Sequence, residues 1–151
     1  MGTLHIILLT ALAVVLVIAA IGDWRTRTIS NWLNLAIAVG APLWWLLNGY
    51  DLWPDVAIVF AQAVITFAIF AGMFALGAMG GGDVKMITAL ALWFTPIQFF
   101  NLLTVMAILG GLLTVAMLIR HKIQKSEGRP EIPYGIAIAF AALWEISQTI
   151  S

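Results

Sequence analysis

The chain has no cysteine, and only 9% of its 151 residues are charged. Without thiols there are no disulfides, no cysteine nucleophile and no cysteine–zinc site. The scarcity of charge excludes more. A soluble domain carries about 25% charged residues, because polar groups must cover its surface. Here 63% of residues are hydrophobic and mean hydropathy is +1.06, so the outer surface must face lipid. The expected fold class is all-α, a polytopic helical membrane protein. The seven Lys and Arg balance seven acids and form no long basic run, which argues against a nucleic-acid partner. No His-Glu-x-x-His stretch exists. The four serines, at 30, 126, 147 and 151, lie outside any Gly-x-Ser-x-Gly setting. Zinc-dependent and serine-based hydrolysis are therefore disfavoured, and no metal or cofactor is expected. Neither internal repeat nor low-complexity tract divides residues 1–151, which read as a single domain. The opening "MGTLHIILLTALAVVLVIAAIGDW" has no basic n-region and is long enough to span, so it reads as a retained first helix and not a secretory signal. Gly2 lacks Ser or Thr at the sixth position, a poor match to a myristoylation site.

Five apolar blocks are plain, near 3–21, 29–47, 56–78, 97–119 and 132–150. A span needs about 20 residues. Residues 86–119 carry no charge; as one helix they would be about 50 Å long, too long for one crossing. Pro96 disfavours helix at Thr95. The segment therefore splits into a short helix, 83–94, and a full one, 97–119, giving six spans with a short fourth. Charge supports the split. The breaks after spans one, three and five then share a side and hold Arg25 and Arg27, Lys85, and Arg120, Lys122, Lys125 and Arg129. The other side holds Asp51 and Asp55. By the positive-inside rule the basic side is cytoplasmic and both termini are outside; His5 and His121 fall on opposite sides. Trp44, Trp45, Tyr50 and Trp53, with Trp93, Phe94, Phe99 and Phe100, read as interfacial anchors at the outer side.

The stretch "GAMGGGDVKM", residues 77–86, stands out. No other charge occurs for 27 residues before Asp83 or 34 after Lys85. Topology puts Asp83 at the cytoplasmic end of the short helix and Asp23 at the same end of the first. Non-helical backbone at that depth must be buried in protein or line a wet cavity, and glycines suit the unusual backbone angles and close approach required. Two acids sharing one proton can divide the labour of amide hydrolysis, one taking a proton from water and the other polarising the carbonyl. The plainer alternative is an Asp N-cap at 83 and an Asp23 paired with Arg25 or Arg27. Glu145, Gln62 and His5 are expected in polar contacts or at the interface, not in chemistry.

Three stretches carry a resemblance. "GGGD" at 80–83 fits the Gly-x-Gly-Asp signature of intramembrane aspartyl proteases. "DWRTRTISN" at 23–31 resembles the Asp-x-Arg-x-Arg-x-Ile-Pro-Asn stretch of type IV prepilin peptidases, with Ser30 where that family often has Pro. "IPYGIA" at 132–137 resembles their Pro-Tyr-Gly segment. The Tyr-Asp pair of presenilin-like proteases is replaced by Gly22-Asp23. The resemblance implies that Asp23 and Asp83 are catalytic and that Gly80 and Gly82 shape the turn. It implies that Lys85 sits where a basic residue can tune the second Asp, that Asn31 fixes the first loop, and that Pro133, Tyr134 and Gly135 approach from the sixth span. The chain, with no cysteine and 22 residues before Asp23, is similar to the short, peptidase-only form found with tight-adherence (Flp-type) pili. It implies a prepilin substrate, with a short basic leader and an apolar helix, cut at the cytoplasmic face of the inner membrane. The competing expectations are a Gly-x-Gly-Asp protease of other membrane segments, and a non-enzymatic assembly subunit or small transporter whose acids form an ion site.

Overall fold

A computed structural model describes residues 2–124 and 132–150, with Gln124 as backbone only; Lys125 and Arg129 lie outside the described residues. Among the described residues there are six α-helices: α1 (Thr3–Thr26), α2 (Asn31–Leu47), α3 (Ala57–Ala75), α4 (Gly81–Leu90), α5 (Pro96–Gln124) and α6 (Tyr134–Ile150). A wide turn at Leu52–Val56 leads into α3 and contains the cis Trp53–Pro54 bond. Among the described residues, three helical segments are long and apolar enough to cross a membrane: Thr3–Thr26, Leu52–Ala75 and Pro96–Ile123; α2 and α6 are shorter apolar helices. Large apolar side chains such as Leu35, Phe60, Ile69 and Leu112 point outward, where only lipid can receive them.

The fourth helix is short, as expected, with ten residues, about 15 Å. It is also buried on nearly every side, through Val84, Met86, Ile87, Ala89 and Leu90. It packs on α2, α3 and α6. The bundle thus has two inner helices. Outside them, α3 leans on α4, α1 and α5 lean on α6, and α1 closes against α2.

A buried helix end must have its carbonyls satisfied, and here other helices supply the donors. Gln62 Nε2 of α3 donates to the carbonyls of Ala91 and Phe94, at 2.8 and 3.1 Å. Trp45 Nε1 of α2 donates to that of Leu92, at 2.7 Å. Gln62 and Trp45 therefore cap α4 from neighbouring helices, Gln62 with two bonds. Gln62→Leu should lower stability by about 1–3 kcal/mol, the usual result of leaving buried carbonyls unpartnered. Thermal unfolding in detergent would show a lower midpoint; an unchanged midpoint would deny Gln62 this role.

The same turn corrects the aromatic-belt expectation. Trp24, Trp32, Trp53 and Trp144 are exposed and suit the lipid boundary, but Trp44, Trp93, Phe94 and Phe99 are core residues. Because α4 ends inside the bundle, Trp93 folds into the space beyond it. Its Nε1 donates to the Ile37 carbonyl at 2.8 Å, and its ring meets Trp44, which takes His5 edge-on. Gly40 makes the slot: a Cβ there would lie 2.6 Å from the Trp93 ring.

At the opposite end of the bundle, α1, α3 and α5 finish while α2, α4 and α6 begin. This end carries Arg25, Arg27, Lys85, Arg120 and Lys122. The far end carries Asp51 and Asp55, with the Asp55 carboxylate accepting the Asp51 N–H at 3.1 Å.

Candidate active site

At the basic end a cavity of about 690 Å³ is lined by Asp23, Arg27, Gly77, Ala78, Met79, Gly80, Asp83, Leu118, Ile132 and Tyr134. The two aspartates are 60 positions apart in sequence, yet they share this one space. Both residues are almost wholly buried, at 4% and 6% exposure. Asp23 Oδ2 and Asp83 Oδ1 have no hydrogen-bond partner, and neither has Arg27 Nη1. Buried polar atoms are normally paired, and three unpaired ones line this one cavity, where water or a polar ligand can pair them.

Local backbone explains how each group arrives. Asp23 sits in the last turn of α1. The helix stops when Arg27 adopts the left-handed conformation, φ 55°, and its N–H bonds the Asp23 carbonyl at 3.0 Å. This turn brings Arg27 into the cavity beside Asp23 while Arg25 stays exposed. The first-turn N–H groups of Gly135 and Ile136 in α6 also face the Asp23 carboxylate. Helix N-termini favour anions in this position. Gly135 permits the approach: a Cβ there would lie 2.8 Å from Asp23 Oδ2 and 2.8 Å from Ile29 Cδ1.

Asp83 lies in the first turn of α4, whose chain enters through the loop after α3. Gly77 takes φ 71°, a left-handed angle that favours glycine. Gly80 presents its N–H toward the Asp83 side chain. Gly82 lies against Ile29, where a Cβ would come within 3.1 Å, and its carbonyl accepts Asn34 Nδ2 at 3.3 Å. The glycine run thus lets α4 begin in contact with the loop after α1, and so brings the two aspartates together.

The remaining sequence candidates divide. Tyr134 lines the cavity, with its hydroxyl 3.3 Å from that of Thr114. Pro133 is fully buried behind it. Lys85 and Asn31 do not line the cavity. Lys85 Nζ donates to Asn31 Oδ1 at 2.8 Å, tying α4 to α2 on the flank, where both border a separate apolar groove. Ser30 has φ −64°, the angle a proline ring imposes, so the departure there leaves the loop's shape intact. Glu145 is buried within α6 and lines none of this site. Sequence reasoning placed Arg27 among the basic residues of this end and as a candidate ion-pair partner of Asp23, but not as a guanidinium lining the cavity. Its separate role follows from a left-handed backbone angle that nothing in "WRTRT" announces.

Among the described residues no group of three metal-ligating side chains occurs. A family model for type IV leader peptidases matches residues 10–115, a span that includes both aspartates, Arg27 and the glycine run and ends before α6. No match was found among curated proteins or among solved structures.

Proposed function

The chain belongs to the type IV leader peptidase family, and on that premise we propose that it is a membrane-embedded aspartic endopeptidase that cuts the leader from type IV prepilins of the Flp kind at the cytoplasmic membrane boundary. One observation carries the reading: two buried carboxylates, each with an unpartnered oxygen, share one cavity at the basic end of the bundle. The cytoplasmic assignment rests on that end's Arg25, Lys85, Arg120 and Lys122. The Flp assignment rests on the resemblance set out above.

The pair shares one proton. Asp23, faced by Arg27 and the amides of α6, is the ionised partner and takes a proton from water. The water oxygen bonds to the scissile carbonyl carbon while Asp83 gives its proton to the carbonyl oxygen. Collapse re-forms the carbonyl and breaks the C–N bond. The proton held by Asp23 goes to the departing nitrogen, and the carbonyl's proton returns to Asp83. Arg27 Nη1, unpartnered in the same space, donates to a peptide carbonyl and holds the chain across the pair.

The test uses the full chain in lipid vesicles and a model substrate: a short basic leader ending in Gly, then an apolar helix. The expected result is one cut after that Gly, read as a new N-terminus by mass spectrometry. Intact substrate together with gradient-driven solute uptake would overturn the proposal in favour of a transporter.

A further inference from the structure

Two outer helices, α3 and α5, scarcely touch each other, since each leans on a different inner helix. Between them runs a groove of about 630 Å³, lined by Phe70 and Met73 of α3 and by Leu103, Met106, Gly111 and Thr114 of α5. Its α5 wall extends from Leu103 to Val115, about 18 Å at helical rise. Met79 and Tyr134 line both this groove and the aspartate cavity, so the two spaces meet. Two other apolar grooves exist, one between α2 and α4 and one between α1 and α2, and neither is lined by Asp23 or Asp83.

We propose that the α3–α5 groove seats the apolar helix of the substrate and delivers the leader junction sideways into the aspartate cavity. This rests on the peptidase reading above and adds the path by which substrate enters. The occupant must be apolar over about three turns, and it must end at two unpartnered carboxylates and a guanidinium. An apolar helix continued by a polar peptide has that order of chemistry, whereas a lipid tail has no peptide to present there. The walls suit a helix. Ala107, Gly110, Gly111 and Thr114 on α5 are the small residues that let helix backbones approach closely in lipid. Met73, Met79 and Met106 can adjust to different apolar side chains.

Gly111 offers the test, because nothing lies within 4 Å of a Cβ placed there and a large side chain can enter the groove without displacing the bundle. With the vesicle assay, Gly111→Phe should raise KM for the helix-bearing substrate about tenfold or more with kcat largely kept, the pattern of lost uniform binding. Cleavage of a short peptide that carries the leader junction but no apolar helix should be unchanged. An unchanged KM for the long substrate, or an equal loss on both substrates, would overturn the groove. Cross-linking gives an independent reading, since the chain has no native cysteine. Gly111→Cys should form disulfides with single cysteines walked along the substrate's apolar helix, and Leu35→Cys in the α2–α4 groove should not; the reverse pattern would also overturn it. A wild-type enzyme that cuts neither substrate would bring down the peptidase reading itself, whereas one that cuts both while Gly111→Phe behaves normally would bring down the groove alone.

Discussion

Asp83→Asn should leave an inserted, folded protein that no longer removes the leader, with kcat down by about 10³-fold or more, and Asp23→Asn should do the same. The substitution keeps the side chain's size and shape and removes its ability to carry a proton. General acid–base groups contribute about 10²–10⁴-fold each, and in the proposed mechanism each carboxylate moves a proton in both the addition and the collapse step. The double variant should be hardly worse than either single one, because groups that act as one unit are strongly non-additive. Two acids that were merely a helix cap and a surface ion pair would give small, additive losses. Asparagine at 83 would keep most of a capping interaction, so a variant processing substrate at the normal rate would end the dyad idea. Thermal unfolding of the variants provides the folding control and should stay close to wild type.

The second large effect is expected at a residue that carries no functional group. Gly135→Ala places a methyl group 2.8 Å from Asp23 Oδ2 and 2.9 Å from its Cγ. Ile29 Cδ1, the other atom met, is the tip of a flexible side chain and can move aside. The carboxylate must turn, and misplacement of a catalytic group by about 1 Å can cost about 10²-fold. We expect kcat to fall about 10–10²-fold with KM little changed. Gly72→Ala in α3, where nothing lies within 4 Å, serves as the matched control and should retain full activity. If Gly135→Ala cuts as fast as wild type, Asp23 does not depend on its closeness to α6.

Much of this architecture was legible before any coordinates. Block lengths, the proline at 96 and the one-sided distribution of Lys and Arg gave six helices and a short fourth, because membrane thickness and charge act on each segment separately. Boundaries were less legible. The fifth helix was expected to stop at 119, where charge begins, but runs on to Gln124, since a helix need not end where the membrane does. The fourth was expected over 83–94 and occupies Gly81–Leu90. It begins early because Gly81 and Gly82 are held against neighbouring elements. It ends early because Trp45 and Gln62 accommodate a turn that local sequence would not stabilise. Trp44 and Trp93 were misplaced for the same reason: a tryptophan near a helix end looks alike whether it meets lipid or fills a gap left by a shorter neighbour. At the site, the charge-derived topology put Asp23 and Asp83 at one end of the bundle, and the family resemblance singled them out as a pair. Arg27's place depends on one left-handed backbone angle that its sequence neighbours do not signal, and the α3–α5 groove on how distant segments pack, which no window of sequence contains.

The two ends of the bundle differ in how completely they are joined. At the acidic end, Trp45, Gln62 and Trp93 bind carbonyls on neighbouring segments, and Gln98 reaches Thr149 across α5 and α6. At the basic end lie Asp23 Oδ2, Arg27 Nη1, Asn34 Oδ1 and Asp83 Oδ1, the buried side-chain atoms without partners among the described residues. The basic end is tied on its flank, by Lys85 to Asn31 and by Asn34 to the Gly82 carbonyl, but unfinished on the side that faces the cavity. On the peptidase reading proposed above, a bound peptide would do more than react there, because it would give the buried atoms of Asp23, Arg27 and Asp83 the partners they lack. On the same reading, release of the cleaved leader would leave those atoms unpaired again, so occupancy of the cavity and local rigidity would rise and fall together.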